Sequence, residues 1–119
     1  MAGHDAEMAV SEFLQQSGLI PITSNYSCKA GEIDLIMRSD QSTIIFVEVR
    51  LRNNRDYGSG ADTVTSAKQH KLSRTALHYL QRNPQYEEWS IRFDVVSVIR
   101  EQDHYKFSWI EEAFWPGDN

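Results

Sequence analysis

Only one cysteine, Cys28, occurs in the 119 residues. A single thiol cannot close an internal disulfide, which excludes a small disulfide-knotted domain. The histidines, at positions 4, 70, 78 and 104, are scattered and lack the paired Cys/His spacing of structural zinc. No apolar run approaches the roughly 20 residues needed to cross a bilayer, and neither an internal repeat nor a low-complexity segment is present. The opening MAGHDAEMAV has no basic stretch followed by an apolar block, so no signal peptide is expected. These absences point to a soluble chain with the cytoplasm as its default location and no membrane partner.

Positive charge is also scarce. Twelve Lys and Arg face 17 Asp and Glu, a formal net charge of −5 that at first sight argues against nucleic-acid binding. The distribution is uneven, however. Residues 50–74 carry Arg50, Arg52, Arg55, Lys68, Lys71 and Arg74 against Asp56 and Asp62, a local +4 that leaves −9 on the remainder. A basic segment on an acidic body can attract phosphates locally, although a solvated helix face is the commoner origin of such a cluster.

The composition, 40% hydrophobic and 24% charged, is that of a globular chain, and 119 residues are most simply one domain spanning 1–119. Ala6, Ala9, Val10, Phe13 and Leu14 recur at helical spacing and predict a helix over 5–16, stopped by Gly18. An extended stretch over 21–28, a turn at Lys29-Ala30-Gly31, GEIDLIM (31–37), a turn at 39–42 and TIIFVEVRL (43–51) predict three consecutive strands in a meander. Residues 51–62 are polar and glycine-rich, which predicts a flexible loop. Helical periodicity returns over 63–82 with Val64, Leu72, Ala76, Tyr79 and Leu80, and Asn83-Pro84 ends it. IRFDVVSVI (91–99) reads as a fourth strand and YKFSWI (105–110) as a fifth. The order αβββαβ is that of an α/β fold, a mixed β-sheet flanked by helices, with the fourth strand parallel to an earlier one after a helical crossover.

Acids inside these strands need an explanation. Glu48 sits in IIFVEVR (44–50), an apolar strand in which an unpaired carboxylate would cost several kcal/mol. Glu32 and Asp34, two apart, share one strand face, as do Glu48 and Arg50. Pairing of the two strands through the 39–42 turn would bring Asp34 and Glu48 together on one side of the sheet. One arginine does not compensate three acids, whereas a divalent cation does, and hard oxygen ligands suit Mg²⁺. The alternative is an ion-pair network in which Glu48 pairs with Arg50 or Arg92, Asp34 does likewise and Glu32 faces solvent. Asp94, also in an apolar strand, reads as a structural partner of Arg50 or Arg92.

Asp34 followed after thirteen residues by Glu48-Val49-Arg50 resembles the acid, gap, E-x-K pattern of the PD-(D/E)XK nuclease superfamily, whose restriction-endonuclease-like core has the order αβββαβ. Together with Glu7, GEIDLIM, FVEVR, Tyr57-Gly58, the segment KQHKL (68–72) and RFDVV, the chain resembles the bacterial YraN family over nearly its whole length, a family similar in pattern to archaeal Holliday-junction resolvases. The resemblance implies a Mg²⁺- or Mn²⁺-dependent endonuclease acting on DNA, including branched or flapped DNA; the alternative is a non-catalytic nucleic-acid-binding module that keeps the fold. It makes Asp34, Glu48 and the carbonyl of Val49 metal ligands, places Glu7 of the first helix within reach of the same metal, lets Glu32 assist through water, and gives Gln69 the role of orienting water or substrate. Arg52, Arg55, Lys68, Lys71 and Arg74 become the nucleic-acid-binding residues. The superfamily proline before the first acid is Ile33 here, and its lysine is Arg50, which keeps the charge but offers a planar, bulkier fork. A two-fold homodimer would suit a four-way junction, though no feature of the chain demonstrates one.

Overall fold

The computed structural model describes residues 3–52 and 64–115. The chain begins with α1 (His4–Gln16), then forms β1 (Ile20–Cys28), β2 (Gly31–Arg38) and β3 (Thr43–Arg52), crosses over through α2 (Ser66–Arg82) and a single 3-10 turn (Pro84–Tyr86), and ends with β4 (Ser90–Glu101) and β5 (His104–Phe114). The sheet has five strands in the order β1-β2-β3-β4-β5. β1, β2 and β3 are antiparallel neighbours, β3 and β4 run parallel over ten residue pairs from Thr43↔Ser90 to Arg52↔Ile99, and β5 returns antiparallel to β4. The fold is therefore α/β, with a mixed sheet flanked by helices in the order αβββαβ and a fifth strand closing the far edge.

Local chemistry explains the element ends. Gly18, at φ +104°, follows α1, and the bonds Leu19 N–H to Leu14 C=O (3.1 Å) and Gly18 N–H to Gln15 C=O (3.0 Å) form the Schellman closure that a left-handed glycine permits. The 39–42 turn is tied by the Ser39 hydroxyl, which accepts from the N–H groups of Gln41 and Thr43. α2 starts at Ser66, three residues later than its periodicity predicts. Thr65 is its N-cap, in extended backbone geometry, and its hydroxyl accepts from the Lys68 N–H at 3.2 Å. The predicted 51–62 loop falls largely outside the described residues, and Arg55 and Tyr57-Gly58 with it.

The alternation of strand residues divides the core into two layers. On one face, Ala6, Val10 and Leu14 of α1 cover Leu35, Met37, Ile45, Val47, Val49, Val96 and Val98. On the other, Leu72, Ala76 and Tyr79 of α2 cover Ile36, Ile44, Phe46, Phe93 and Val95. Even-numbered residues of β3 thus face α2, and Glu48, Arg50 and Arg52 continue that row beyond Phe46. Asp94, even-numbered on β4, falls on the α1 face instead.

Candidate metal centre

The β2–β3 ladder runs from Arg38↔Ile44 to Leu35↔Val47, so continuing its register sets Asp34 opposite Glu48. At that step the backbone ladder stops and a side chain takes over: Asp34 Oδ2 accepts the Val49 N–H at 2.8 Å. Both carboxylates are buried, Asp34 to 3% and Glu48 to 7% residual exposure. They line one cavity of about 200 Å³ with Gly31, Glu32, Lys68 and Lys71.

Burial pushes the Asp34 carboxyl up to about 8, and repulsion from Glu48 adds to it. The Val49 N–H works in the opposite direction, while a side-chain hydrogen bond with Glu48 and the more distant charge of Glu7 raise it further. At neutral pH Asp34 holds its proton and donates it toward Glu48. The remaining negative charge meets Lys68, whose Nζ lies 3.2 Å from Glu48 Oε2. Lys68 comes from the first turn of α2, which carries no acidic residue, so the positive end of that helix also faces the pair.

Glu7, on α1, is 4% exposed, and its Oε2 is a buried oxygen without a hydrogen-bond partner among the described residues. It is close enough to act on Asp34 electrostatically. No three His, Cys, Asp or Glu side chains among the described residues are gathered at metal-ligand spacing, so the tight unit is the Asp34–Glu48 pair with Glu7 beside it. Glu32 lines the same cavity, half-buried at the start of β2. Gly31 holds that start of β2 against α2: at φ +156° it lies where a Cβ would meet Thr75 Oγ1 at 3.2 Å.

A family model described as uncharacterised protein family UPF0102 matches residues 6–98. A UPF0102 protein of Nitrosomonas europaea is 44% identical over 112 residues, covering 94% of this chain and 92% of the relative. Relatives in Coxiella burnetii strain RSA 493 (44% over 111 residues, 93% and 89% coverage) and Saccharophagus degradans (43% over 112 residues, 94% and 91%) are similar to the same extent. The chain belongs to the UPF0102 family. This is the YraN family of the sequence reading, and the match from α1 into β4 includes Glu7, Asp34, Glu48, Lys68 and Gln69.

The remaining UPF0102 residues singled out in the sequence fall into distinct places. Arg50 and Arg52, both half-buried, line a second cavity of about 290 Å³ with Glu48, Thr65 and Lys68, so this arginine pair and the acid pair share Glu48 as a common wall. Lys71 is exposed at the rim of the acid cavity, and Arg74 stands one turn further along α2. Gln69 donates its side-chain N–H to the Val64 carbonyl at 2.8 Å, a structural duty at the start of α2.

Asp94 is claimed by Arg92, not Arg50. Arg92 Nε and Nη2 each lie 2.9 Å from an Asp94 oxygen, Trp109 Nε1 donates at 2.9 Å and the Glu112 N–H at 3.0 Å. With four donors on the opposite sheet face, Asp94 is a structural anchor for β5. What the sequence did not reveal is the Lys68–Glu48 contact, whose only signal was the place of Lys68 at the border of the apolar stripe of α2.

The donor set around Asp34 fits a hard divalent cation. Two carboxylates and a buried Glu7 oxygen without a hydrogen-bond partner among the described residues are hard oxygen ligands of the kind Mg²⁺ or Mn²⁺ accepts, and Mg²⁺ needs only one or two carboxylates when water and phosphate complete its shell.

Proposed function

We propose that this UPF0102 protein is a metal-dependent endonuclease of the PD-(D/E)XK type that hydrolyses DNA phosphodiester bonds. The observation that carries the reading is how the Asp34–Glu48 pair is neutralised: one proton and one lysine ammonium together supply two positive charges, the charge of a divalent cation. Asp34, Glu48 and the Val49 carbonyl would hold Mg²⁺ or Mn²⁺ after the shared proton is given up and Lys68 released, with Glu7 as the adjacent acid. The bound ion would supply Lewis-acid polarisation of a phosphoryl oxygen and a water acidic enough to attack near neutral pH.

The chain's own residues account for the rest. Arg50, on the wall shared with Glu48, is placed to stabilise charge building on the scissile phosphate, and a planar guanidinium suits two phosphate oxygens at once. Lys68, once freed from Glu48, would be a second cation at the same point. Arg52, Lys71 and Arg74 would hold the flanking backbone, with Gln69 at the edge of the site and Arg55 assigned the same role by the family resemblance alone. A two-fold dimer would present two such centres to a four-way junction.

One observation favours a second reading, a nucleic-acid-binding module without cleavage. The ammonium on Glu48 together with arginine in the lysine position would suffice for a site whose acids are permanently neutralised. Incubation with linear, single-stranded, flapped and four-way DNA in Mg²⁺ or Mn²⁺ separates the two. Cleavage that disappears in both Asp34→Asn and Glu48→Gln is the expected result. Salt-sensitive binding with no product on any substrate would establish the binding module instead.

A further inference from the structure

We propose that the groove between the end of β1 and the second half of α2 is a separate binding site for the phosphate backbone of a nucleic acid, distinct from the acid pair. The inference deepens the reading above only in taking the ligand to be nucleic acid, and it stands whether or not the strand is cut. The groove encloses about 760 Å³. Lys29 on the β1–β2 turn and Arg74, His78 and Arg82 on α2 line it, and among the described residues no carboxylate does. In a chain with 17 acids against 12 bases, a cavity walled by three full cations and, among the described residues, no acid has the charge a polyanion requires.

The hydrogen bonds in the groove leave a further donor. Arg82 Nε, which can only donate, bonds His78 Nε2 at 3.3 Å, so that nitrogen accepts and His78 Nδ1 carries the ring proton. Nδ1 therefore donates to the Tyr26 hydroxyl oxygen, and the phenol O–H remains available for a phosphate oxygen. Tyr26 is held in place edge-on against Tyr79, with ring centres 5.1 Å apart.

The groove is also in line with the acid pair. Lys68, Lys71, His78 and Arg82 recur at helical spacing along α2, with Arg74 beside them, and run from the Glu48 contact to the groove. The fourteen-residue separation of Lys68 and Arg82 corresponds to about 21 Å at roughly 1.5 Å per residue. At about 3.4 Å of duplex axis per base pair, that is some six base pairs. A duplex laid along α2 with a phosphate at the acid pair would reach the groove roughly six base pairs further on.

Cys28, half-buried in the groove wall and the single thiol of the chain, reports occupancy directly. The full chain in EDTA, where no cleavage can occur, is titrated with flapped and duplex DNA while the rate of Cys28 alkylation by N-ethylmaleimide is followed. Saturating DNA is expected to slow alkylation several-fold, and equally in Asp34→Asn. Lys29→Ala and Arg82→Ala, both at exposed side chains, are each expected to lower the salt slope of binding by about 0.9. Bound DNA with an unchanged alkylation rate and unchanged slopes would overturn the groove while leaving the nuclease reading intact. Protection without cleavage in Mg²⁺ would uphold the groove and overturn the nuclease.

Discussion

At the scale of single residues, the acid pair ties stability to pH. An unfolded Asp34 ionises near 3.8, and the folded one at about 8, because burial and Glu48 both disfavour its charge. A raised carboxyl pKa means that the folded state holds a proton the unfolded state has lost. Stability is therefore greatest below about pH 4 for this group and falls as pH rises toward 8, by at most about 1.4 kcal/mol per pH unit. Urea unfolding in EDTA across pH 4–9 should show that decline, and Asp34→Asn should flatten it, since an amide oxygen can still accept the Val49 N–H. Below about pH 4 Asp34→Asn changes stability little, because Asp34 is then protonated in both states; the gain should grow as pH rises toward 8 and level off above it. Lys68→Ala tests the other half of the neutralisation. Its ammonium is partly exposed, so the loss in stability should stay under about 1 kcal/mol. Mn²⁺ should bind more tightly to the variant by calorimetry, because a competing cation is gone. Weaker Mn²⁺ binding would make Lys68 a support for the site and not a competitor.

Among the elements, the sharpest contrast is between two buried aspartates. Asp34 interrupts a ladder and leaves β2 and β3 held by a side chain at the site, whereas Asp94 completes one, joining β4 to β5 through Arg92, Trp109 and the Glu112 N–H. Removing the Asp94 charge leaves the Trp109 N–H without its acceptor and the Arg92 guanidinium with the exposed Glu111 carboxylate, 3.4 Å away, in place of its bidentate partner. Asp94→Ala should therefore cost about 3–5 kcal/mol in chemical denaturation, without altering Mn²⁺ affinity in the fraction that folds. A loss below 1 kcal/mol would mean that solvent replaces the anchor. α2 has a double duty, since one side seals the core through Leu72, Ala76 and Tyr79 while its first turn delivers Lys68 to Glu48.

For the whole molecule, charge is uneven along the chain: residues 50–74 carry a local +4 and the remainder −9, and α2 presents Lys68, Lys71, Arg74 and Arg82. DNA binding should weaken steeply with salt, and Lys71→Ala and Arg74→Ala should each lower the slope of log affinity against log salt by about one unit while leaving any metal-dependent rate at saturating DNA unchanged. Arg50→Lys is the complementary test, with single-turnover cleavage as its readout. Faster cleavage is expected, because a compact ammonium can approach attacking water and phosphate where the planar guanidinium cannot. An unchanged absence of product, with binding intact, would favour the module without chemistry.

The elements were legible in the sequence because each announces itself locally. Helical and two-residue periodicity placed both helices and the strands within a few residues, Gly18 and Asn83-Pro84 marked the helix ends, and the meander followed from short turns. The facing of Asp34 and Glu48 was also accessible, since strand alternation and a short hairpin leave little freedom of register. The choice between Arg50 and Arg92 as partner of Asp94 was not, because it depends on which sheet face each residue occupies after the crossover. The start of α2 at Ser66 was set by the Thr65 cap against a periodicity that began earlier. Lys68 on Glu48 and the groove from Tyr26 to Arg82 lay beyond the sequence as well: each joins residues at least twenty positions apart, and a contact of that kind is decided by how α2 is laid across the sheet.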